Sequence, residues 1–247
     1  MDAPPTPAPA TARPIPPSSP AQAPHLADRL SLIAAAALFS TGGAAIKATS
    51  LSGWQVASFR SGIAAVAVLL LVKASRRRWT GRVLLVAVAY ALTMVLFVSS
   101  NKATTAPNPA LGNLLAIASG CTWALTVIGL RWLGSTEEGG SATLSTVVAG
   151  NLFACLACLP LALPVSGTGP VDWAVVGYLG VIQIGLAYLL LVRGIRRVPA
   201  FEASILLLIE PALNPIWAWL VHGEAPGTLP VLGGALILAA SLMRARG

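Results

Sequence analysis

Long apolar stretches alternate with short polar connections along most of this chain, from about residue 30 to residue 243. A helix needs about 20 mainly apolar residues to cross a bilayer, whereas a helix of a soluble protein keeps one polar face for water. The alternating pattern of a membrane β-barrel is not seen. We therefore predict an all-α polytopic membrane protein. Its eight predicted membrane-spanning helices cover residues 30–48, 51–72, 83–100, 111–130, 142–163, 173–192, 202–221 and 229–243.

The segment that precedes the first apolar stretch has a different composition. Residues 1–27 are rich in Pro, Ala and Ser and hold almost no large apolar side chains. Such a segment cannot bury enough apolar surface to offset the entropy that it would lose on ordering. We predict a disordered cytoplasmic tail there.

The distribution of charge decides between two classes of partner. The chain is 56% hydrophobic and 10% charged, with a formal net charge of +8 that could suggest nucleic-acid binding. Lys and Arg, however, lie at the ends of apolar stretches and mostly on alternate connections. That is the positive-inside pattern, which argues against a nucleic-acid partner. It predicts a multi-pass protein of the cell inner (plasma) membrane with both termini in the cytoplasm.

Two segments in equivalent positions indicate an internal repeat. VSSNKATTA, residues 98–106, aligns with VRGIRRVPA, residues 192–200, and each closes the third helix of its half. We predict a first half over residues 28–106 with three helices and a second half over residues 107–247 with five. The two halves would be inverted in the membrane, as in many transporters whose binding site lies between repeats.

Two longer segments carry a resemblance to a known family. They are GNLLAIASGCTWALTVIGLRWLG, residues 112–134, and QIGLAYLLLVRGIRRVPAFEASILLLIEPALNPIWAWLVHGE, residues 183–224, and SFRSG with Arg60 adds to them. The sequence resembles the EamA-type members of the drug/metabolite transporter superfamily. The resemblance implies ten helices in two repeats, with a substrate cavity between the repeats. The fourth and fifth helices of the first repeat are missing between Ala106 and Leu111, which would open the cavity to lipid unless another chain fills the gap.

Glu210 is the first candidate for a coupling or substrate-binding residue. It lies near the middle of an apolar run, where an ionisable group costs roughly 2.5–3.5 kcal/mol and usually faces a cavity or a partner. Pro211 and Pro215 lack the N–H that would donate to carbonyls one turn earlier, and Asn214 follows Glu210 by one turn. This group would suit a proton, a small cation or an amine. The alternative is that Glu210 only holds helices together.

Other polar side chains within the predicted helices are secondary candidates. Arg60 could bind an anionic group, pair with Glu210 across the halves, or extend its charged end to the membrane surface. Gly42 and Gly43 would allow a neighbouring helix to approach closely. Further polar or amphipathic positions could line a pathway or serve packing alone: Trp123, Gln183, Tyr188 and Asn151.

No arrangement of residues indicates catalysis. We find no nucleotide-binding loop, metal-ligand cluster or serine-histidine-acid order, and we therefore expect no enzyme, no cofactor and no metal. The expected function is a secondary transporter that exports small metabolites or amino-acid-like solutes by proton coupling or exchange. Its partners would be the lipid bilayer, a small solute and, as one assembly, a homodimer. The alternative is a transport-incompetent truncated paralogue, or a membrane partner subunit that needs oligomerisation.

Overall fold

The computed structural model describes residues 26–76, 79–103, 110–135, 139–223, 225 and 227–246. The tail predicted for residues 1–27 lies outside these ranges except for its last two residues, which open the first helix. The six-residue connection at the predicted gap, residues 104–109, also lies outside them.

The described residues are helical and contain no strand. A π-helical stretch, Leu179–Leu186, joins the seventh helix to the eighth, and a short 3₁₀ turn, Lys73–Arg76, follows the third. The helices are α1 (Leu26–Ser40), α2 (Gly42–Lys47), α3 (Gly53–Leu71), α4 (Gly81–Ala103), α5 (Ala110–Gly134), α6 (Gly139–Ala162), α7 (Pro170–Tyr178), α8 (Ala187–Ile195), α9 (Ala200–Leu207), α10 (Ile209–His222) and α11 (Thr228–Arg246).

Seven helical segments of the described chain are long and apolar enough to cross a membrane. They match the first seven predicted spans, which are therefore confirmed as helices. The eighth predicted span, residues 229–243, falls within α11, which is helical but is not among the seven. The protein is an all-helical, multi-pass membrane protein. The seven segments are Leu26–Lys47, Gly53–Leu71, Gly81–Ala103, Ala110–Gly134, Gly140–Ala162, Pro170–Ile195 and Ala200–His222.

Three of the seven segments are interrupted. The first breaks between α1 and α2 at Thr41, whose hydroxyl lies 2.8 Å from the carbonyl of Leu38 and 2.8 Å from the hydroxyl of Tyr178. The sixth widens into the π-helical stretch, and the seventh breaks at Leu208 between α9 and α10. Irregular backbone inside a membrane protein is tolerated where it is buried or lines a cavity.

Packing brings the two predicted halves together. α4 packs extensively on α5 and α6, α3 on α6, and α1 on α8 and α10. The π-helical stretch lies directly against α3, since a Cβ at Gly180 would come within 2.8 Å of the carbonyl oxygen of Arg60. A residue larger than glycine would force the two helices apart at that point.

Candidate functional site

The interrupted helices surround a cavity of about 800 Å³. Helices from both predicted halves contribute to its wall: α1, α3 and α4 from the first, and α5, the π-helical stretch and α8 to α10 from the second. Polar, charged and aromatic side chains are among those that line it: Phe39, Arg60, Thr93, Phe97, Ser100, Asn101, Ser119, Trp123, Gln183, Tyr188, Ser204, Glu210 and Asn214.

Glu210 lies on the cavity wall immediately after a break in its helix. The break falls at Leu208, so that Glu210 is the second residue of α10. Pro211, which lines the cavity as well, cannot donate to the carbonyl of Leu207, and this explains why the helix is interrupted there. Within the described part of the chain the Glu210 carboxylate makes no hydrogen bond and no ion pair. It is therefore available to a solute or a proton.

The α1–α2 break packs directly against α10, the helix of Glu210, and depends on two glycines. A Cβ at Gly42 would lie 2.6 Å from the Gln183 side-chain nitrogen, and a Cβ at Gly43 would lie 2.9 Å from the Asn214 side-chain oxygen. Side chains at these positions would push Gln183 and Asn214 away. The close approach predicted for the glycines is confirmed, and it brings two amides to the same break.

Arg60, in α3, is buried and also lines the cavity. Its side chain is 1% exposed, and its Nη2 donates to the carbonyl of Met94 at 3.3 Å. The ring of Phe97 lies 5.8 Å from the guanidinium carbon. Of the three options, neither the ion pair with Glu210 nor the extension to the membrane surface is seen. Arg60 stays inside, on the cavity wall.

An aromatic cluster lies beside these groups, in which Phe39, Trp123 and Tyr188 line the cavity and Tyr90 does not. The ring centroid of Phe39 lies 4.9 Å from that of Tyr188 and 5.7 Å from that of Trp123, and Tyr90 packs on Tyr188 at 4.7 Å. These rings come from α1, α5, α8 and α4, which explains how helices far apart in sequence are held around one space. Trp123 and Tyr188 were candidates from the sequence, whereas Phe39 and Tyr90 were not.

Two sequence candidates do not reach the cavity. Asn151 is fully buried behind its wall, where its Nδ2 donates to the hydroxyl of Tyr90 at 2.8 Å and to the carbonyl of Val147 at 2.9 Å. Pro215 lies within a continuous part of α10 and does not line the cavity. Asn151 therefore supports a tyrosine instead of meeting a solute.

Sequence reasoning missed a polar stripe on α4. Thr93, Phe97, Ser100 and Asn101 line the cavity. Phe97 follows Thr93 by four residues, and Ser100 and Asn101 follow Phe97 by three and four, so that they share one face of the helix. The spacing is visible in the sequence, but small hydroxyl residues are common in membrane helices and do not by themselves indicate a solute pathway. Ser119 of α5 completes this stripe, with its hydroxyl 3.5 Å from the carbonyl of Thr93.

One side of the cavity is bordered by side chains that point away from the protein. Ile128 of α5 and Leu208 both line the cavity, yet they are 65% and 44% exposed. Among the described residues, α5 does not pack substantially on α9 or α10. The cavity therefore has a lateral gap, defined by Ile128 on one edge and Leu208 on the other.

The chain is similar to a known family of transporters and to named relatives. The EamA-like transporter family matches residues 110–245. Over 134 residues the chain is 28% identical to the threonine/homoserine exporter RhtA of Escherichia coli (strain K12), and 27% identical to that of Salmonella typhimurium (strain LT2). These matches cover 53% of this chain and 44% of each relative, so the match spans less than half of the relatives' length. A solved structure titled "Crystal structure of protein" aligns with a TM-score of 0.44 at 16% identity, over 91% of this chain and 88% of that one. Since the family match extends over more than half of its residues, the chain belongs to the EamA-like transporter family.

Proposed function

We propose that this chain is a secondary transporter of the inner membrane that exports small metabolites or amino-acid-like solutes. The observation that carries the proposal is Glu210, a carboxylate without a protein partner at a helix break, on the wall of a cavity that both predicted halves line. Membership of the EamA-like family points to a transporter rather than to an enzyme. Threonine and homoserine, named for the relatives, are the first solutes to test.

The coupling that we propose follows from competition at Glu210. The ionised carboxylate attracts the ammonium group of a solute, and protonation of the same carboxylate removes that attraction. Proton and solute then bind in turn, so each inward proton is exchanged for an outward solute. The positive-inside charge pattern supports a topology with both termini in the cytoplasm, and the inward proton gradient would drive the solute outward.

The helix breaks supply the movement that such exchange needs. α1–α2 and α9–α10 both break beside the cavity, and α10 touches both parts of the first pair. The Trp217 indole donates to the Ser40 hydroxyl at 2.9 Å, and the His222 ring nitrogen bonds the Ala44 carbonyl at 2.9 Å. A tilt of α10 would therefore carry α2 with it and open one end of the cavity.

The test is export from inverted membrane vesicles with an imposed pH gradient. Glu210→Gln keeps the size of the side chain but cannot exchange a proton, and we expect gradient-driven threonine or homoserine accumulation to fall by at least about tenfold. Asp172→Asn is the matched control, since Asp172 bonds Ser50 and Gly169 outside the cavity. Unchanged accumulation in the Glu210 variant would remove this residue from the mechanism.

The competing proposal is a chain that needs a second copy or is inactive. Two observations favour it. The cavity has a lateral gap at Ile128 and Leu208. The connection of residues 104–109 is also too short to hold the helix pair implied by the family. Insertion of such a pair after Ala106 distinguishes the two. Gain of export only after insertion would support an incomplete transporter, and efficient export by the present chain would refute that view.

A further inference from the structure

Arg60 is a cavity-wall charge whose hydrogen-bonding capacity is only partly used. It lies inside the membrane-spanning segment Gly53–Leu71 and is 1% exposed. Only its Nη2 has a partner, the carbonyl of Met94, while Nε and Nη1 have no hydrogen-bond partner among the described residues. No carboxylate of those residues forms an ion pair with it.

The protein contacts around Arg60 do not neutralise its charge. The Phe97 ring contributes a cation–π contact, and a single carbonyl accepts one hydrogen bond. A buried charge with unsatisfied N–H groups is costly, and inside a membrane span it usually marks a pathway or a binding partner. The planar guanidinium fork matches a carboxylate, which can accept two parallel hydrogen bonds. An anion is therefore the group that would complete this site.

We propose that Arg60 binds the carboxylate of the transported solute, so that the cavity selects a zwitterionic α-amino acid whose ammonium group lies at Glu210. This inference rests on the proposed transport function and deepens it. Both charged residues line the same cavity. One cavity thus presents a cation and an anion, each without an opposite charge from the protein.

Access to Arg60 depends on two side chains that also line the cavity. Met94 contacts the guanidinium through its sulfur at 3.6 Å, and Phe97 covers one face. Met has three rotatable bonds and repacks at low cost. Rotation of Met94 frees the Nη2 N–H that meets the sulfur, so that a carboxylate can accept from Nη2 together with Nε or Nη1, the two nitrogens without a partner among the described residues.

The experiment measures binding and does not depend on export. The purified full chain in lipid nanodiscs is titrated with three radiolabelled probes: L-threonine, N-acetyl-L-threonine, which keeps only the carboxylate, and L-threoninol, which keeps only the ammonium. We expect Arg60→Gln to lower the affinity for L-threonine and N-acetyl-L-threonine, the two probes with a carboxylate, by roughly 10- to 100-fold. The affinity for L-threoninol should change less than about twofold. Glu210→Gln should weaken the binding of L-threonine and L-threoninol, which carry the ammonium group, and should leave the binding of N-acetyl-L-threonine unchanged.

Two further variants keep the result interpretable. Arg82→Gln removes the same charge from an exposed guanidinium that stacks on Trp132 at 5.4 Å outside the cavity, and it should leave all three affinities unchanged. Arg60→Lys keeps the charge without the fork, and should retain the preference for carboxylate probes at reduced affinity. If the glutamine variant does not fold, the lysine variant carries the test.

The outcomes separate this proposal from the transport function. Three results would overturn the carboxylate site. Arg60→Gln could weaken the binding of all three probes equally, or it could leave threonine binding unchanged. The wild-type chain could also bind none of the probes. Arg60-dependent binding without export would uphold the site and overturn transport. Export of threonine with the same affinity in the wild type and in Arg60→Gln would uphold transport and overturn the site.

Discussion

At the scale of single residues, the candidate site is defined by which polar groups are left without partners. Glu210 and Arg60 lie on one cavity wall and do not neutralise one another, although an opposite pair of buried charges would be the simplest structural solution. Asn151 and Tyr90 show the contrary case, since they bond each other behind that wall. Neither charge of the first pair is neutralised by an opposite charge among the described residues, whereas the second pair is joined by a hydrogen bond.

The Asn151–Tyr90 bond gives a prediction that separates support from binding. Asn151→Leu leaves the buried Tyr90 hydroxyl without its donor, and Tyr90→Phe leaves the Asn151 amide without its acceptor. We expect each single change to destabilise the protein and the double change to cost less than their sum. The coupling, roughly 0.6–1.7 kcal/mol, is measured by a double-mutant cycle of unfolding in lipid–detergent micelles. Strict additivity would contradict this role.

At the scale of elements, the apolar pattern predicted most of the helices. Seven apolar stretches were long enough to specify helices regardless of their neighbours, and Glu210 was conspicuous as a charge within one of them. Phe39 and Phe97 could not be found in this way, because an aromatic residue on a cavity wall looks the same in sequence as one facing lipid. The sequence left Asn151 open between a pathway and a packing role, because the tyrosine that it bonds is on another helix.

The break between α9 and α10 gives a prediction about helix geometry. Pro211→Ala restores an N–H that can donate to the Leu207 carbonyl, so the two helices should merge. We expect unfolding to become harder by about 1 kcal/mol, the net value of one hydrogen bond, while export falls because Glu210 turns away from the cavity. Thermal unfolding and vesicle export check the two effects. Pro215→Ala, within continuous α10, is the control and should spare export; equal loss in both variants would show that the break is not special.

At the scale of the whole molecule, ion pairs at one end of the bundle join its first helix to the second half. Asp28, 1% exposed, lies 3.4 Å from Arg197 and 3.8 Å from Arg193, while Arg29 lies 2.6 Å from Glu202. These contacts tie α1 to α8 and α9. Because α1 and α9 both lead into helix breaks, the pairs hold the end of the cavity where those helices begin.

The ion pair between Arg29 and Glu202 predicts how the stability of the single and double variants will differ. Glu202→Gln leaves the Arg29 guanidinium partly buried without its carboxylate, and should lower the free energy of unfolding by about 3 kcal/mol. The double change Arg29→Gln with Glu202→Gln removes both charges and should recover most of that loss. Chemical unfolding in mixed micelles measures both. A double variant as unstable as the single one would show that the charge pair is not the cause.

The lateral gap decides whether the protein acts alone. Ile128 and Leu208 edge the gap and are largely exposed, whereas Leu130, two residues along α5, is fully buried. For a chain that transports by itself, lipid must cover both edges, because apolar side chains have nowhere else to bury in a single copy. In a background without the native cysteines, spin labels at Ile128→Cys and Leu208→Cys should then be far more accessible to oxygen, which concentrates in lipid, than to a water-soluble nickel complex. A label at Leu130→Cys should be shielded from both reagents. Disulfide cross-linking of Ile128→Cys between two copies would instead show that a second chain fills the gap.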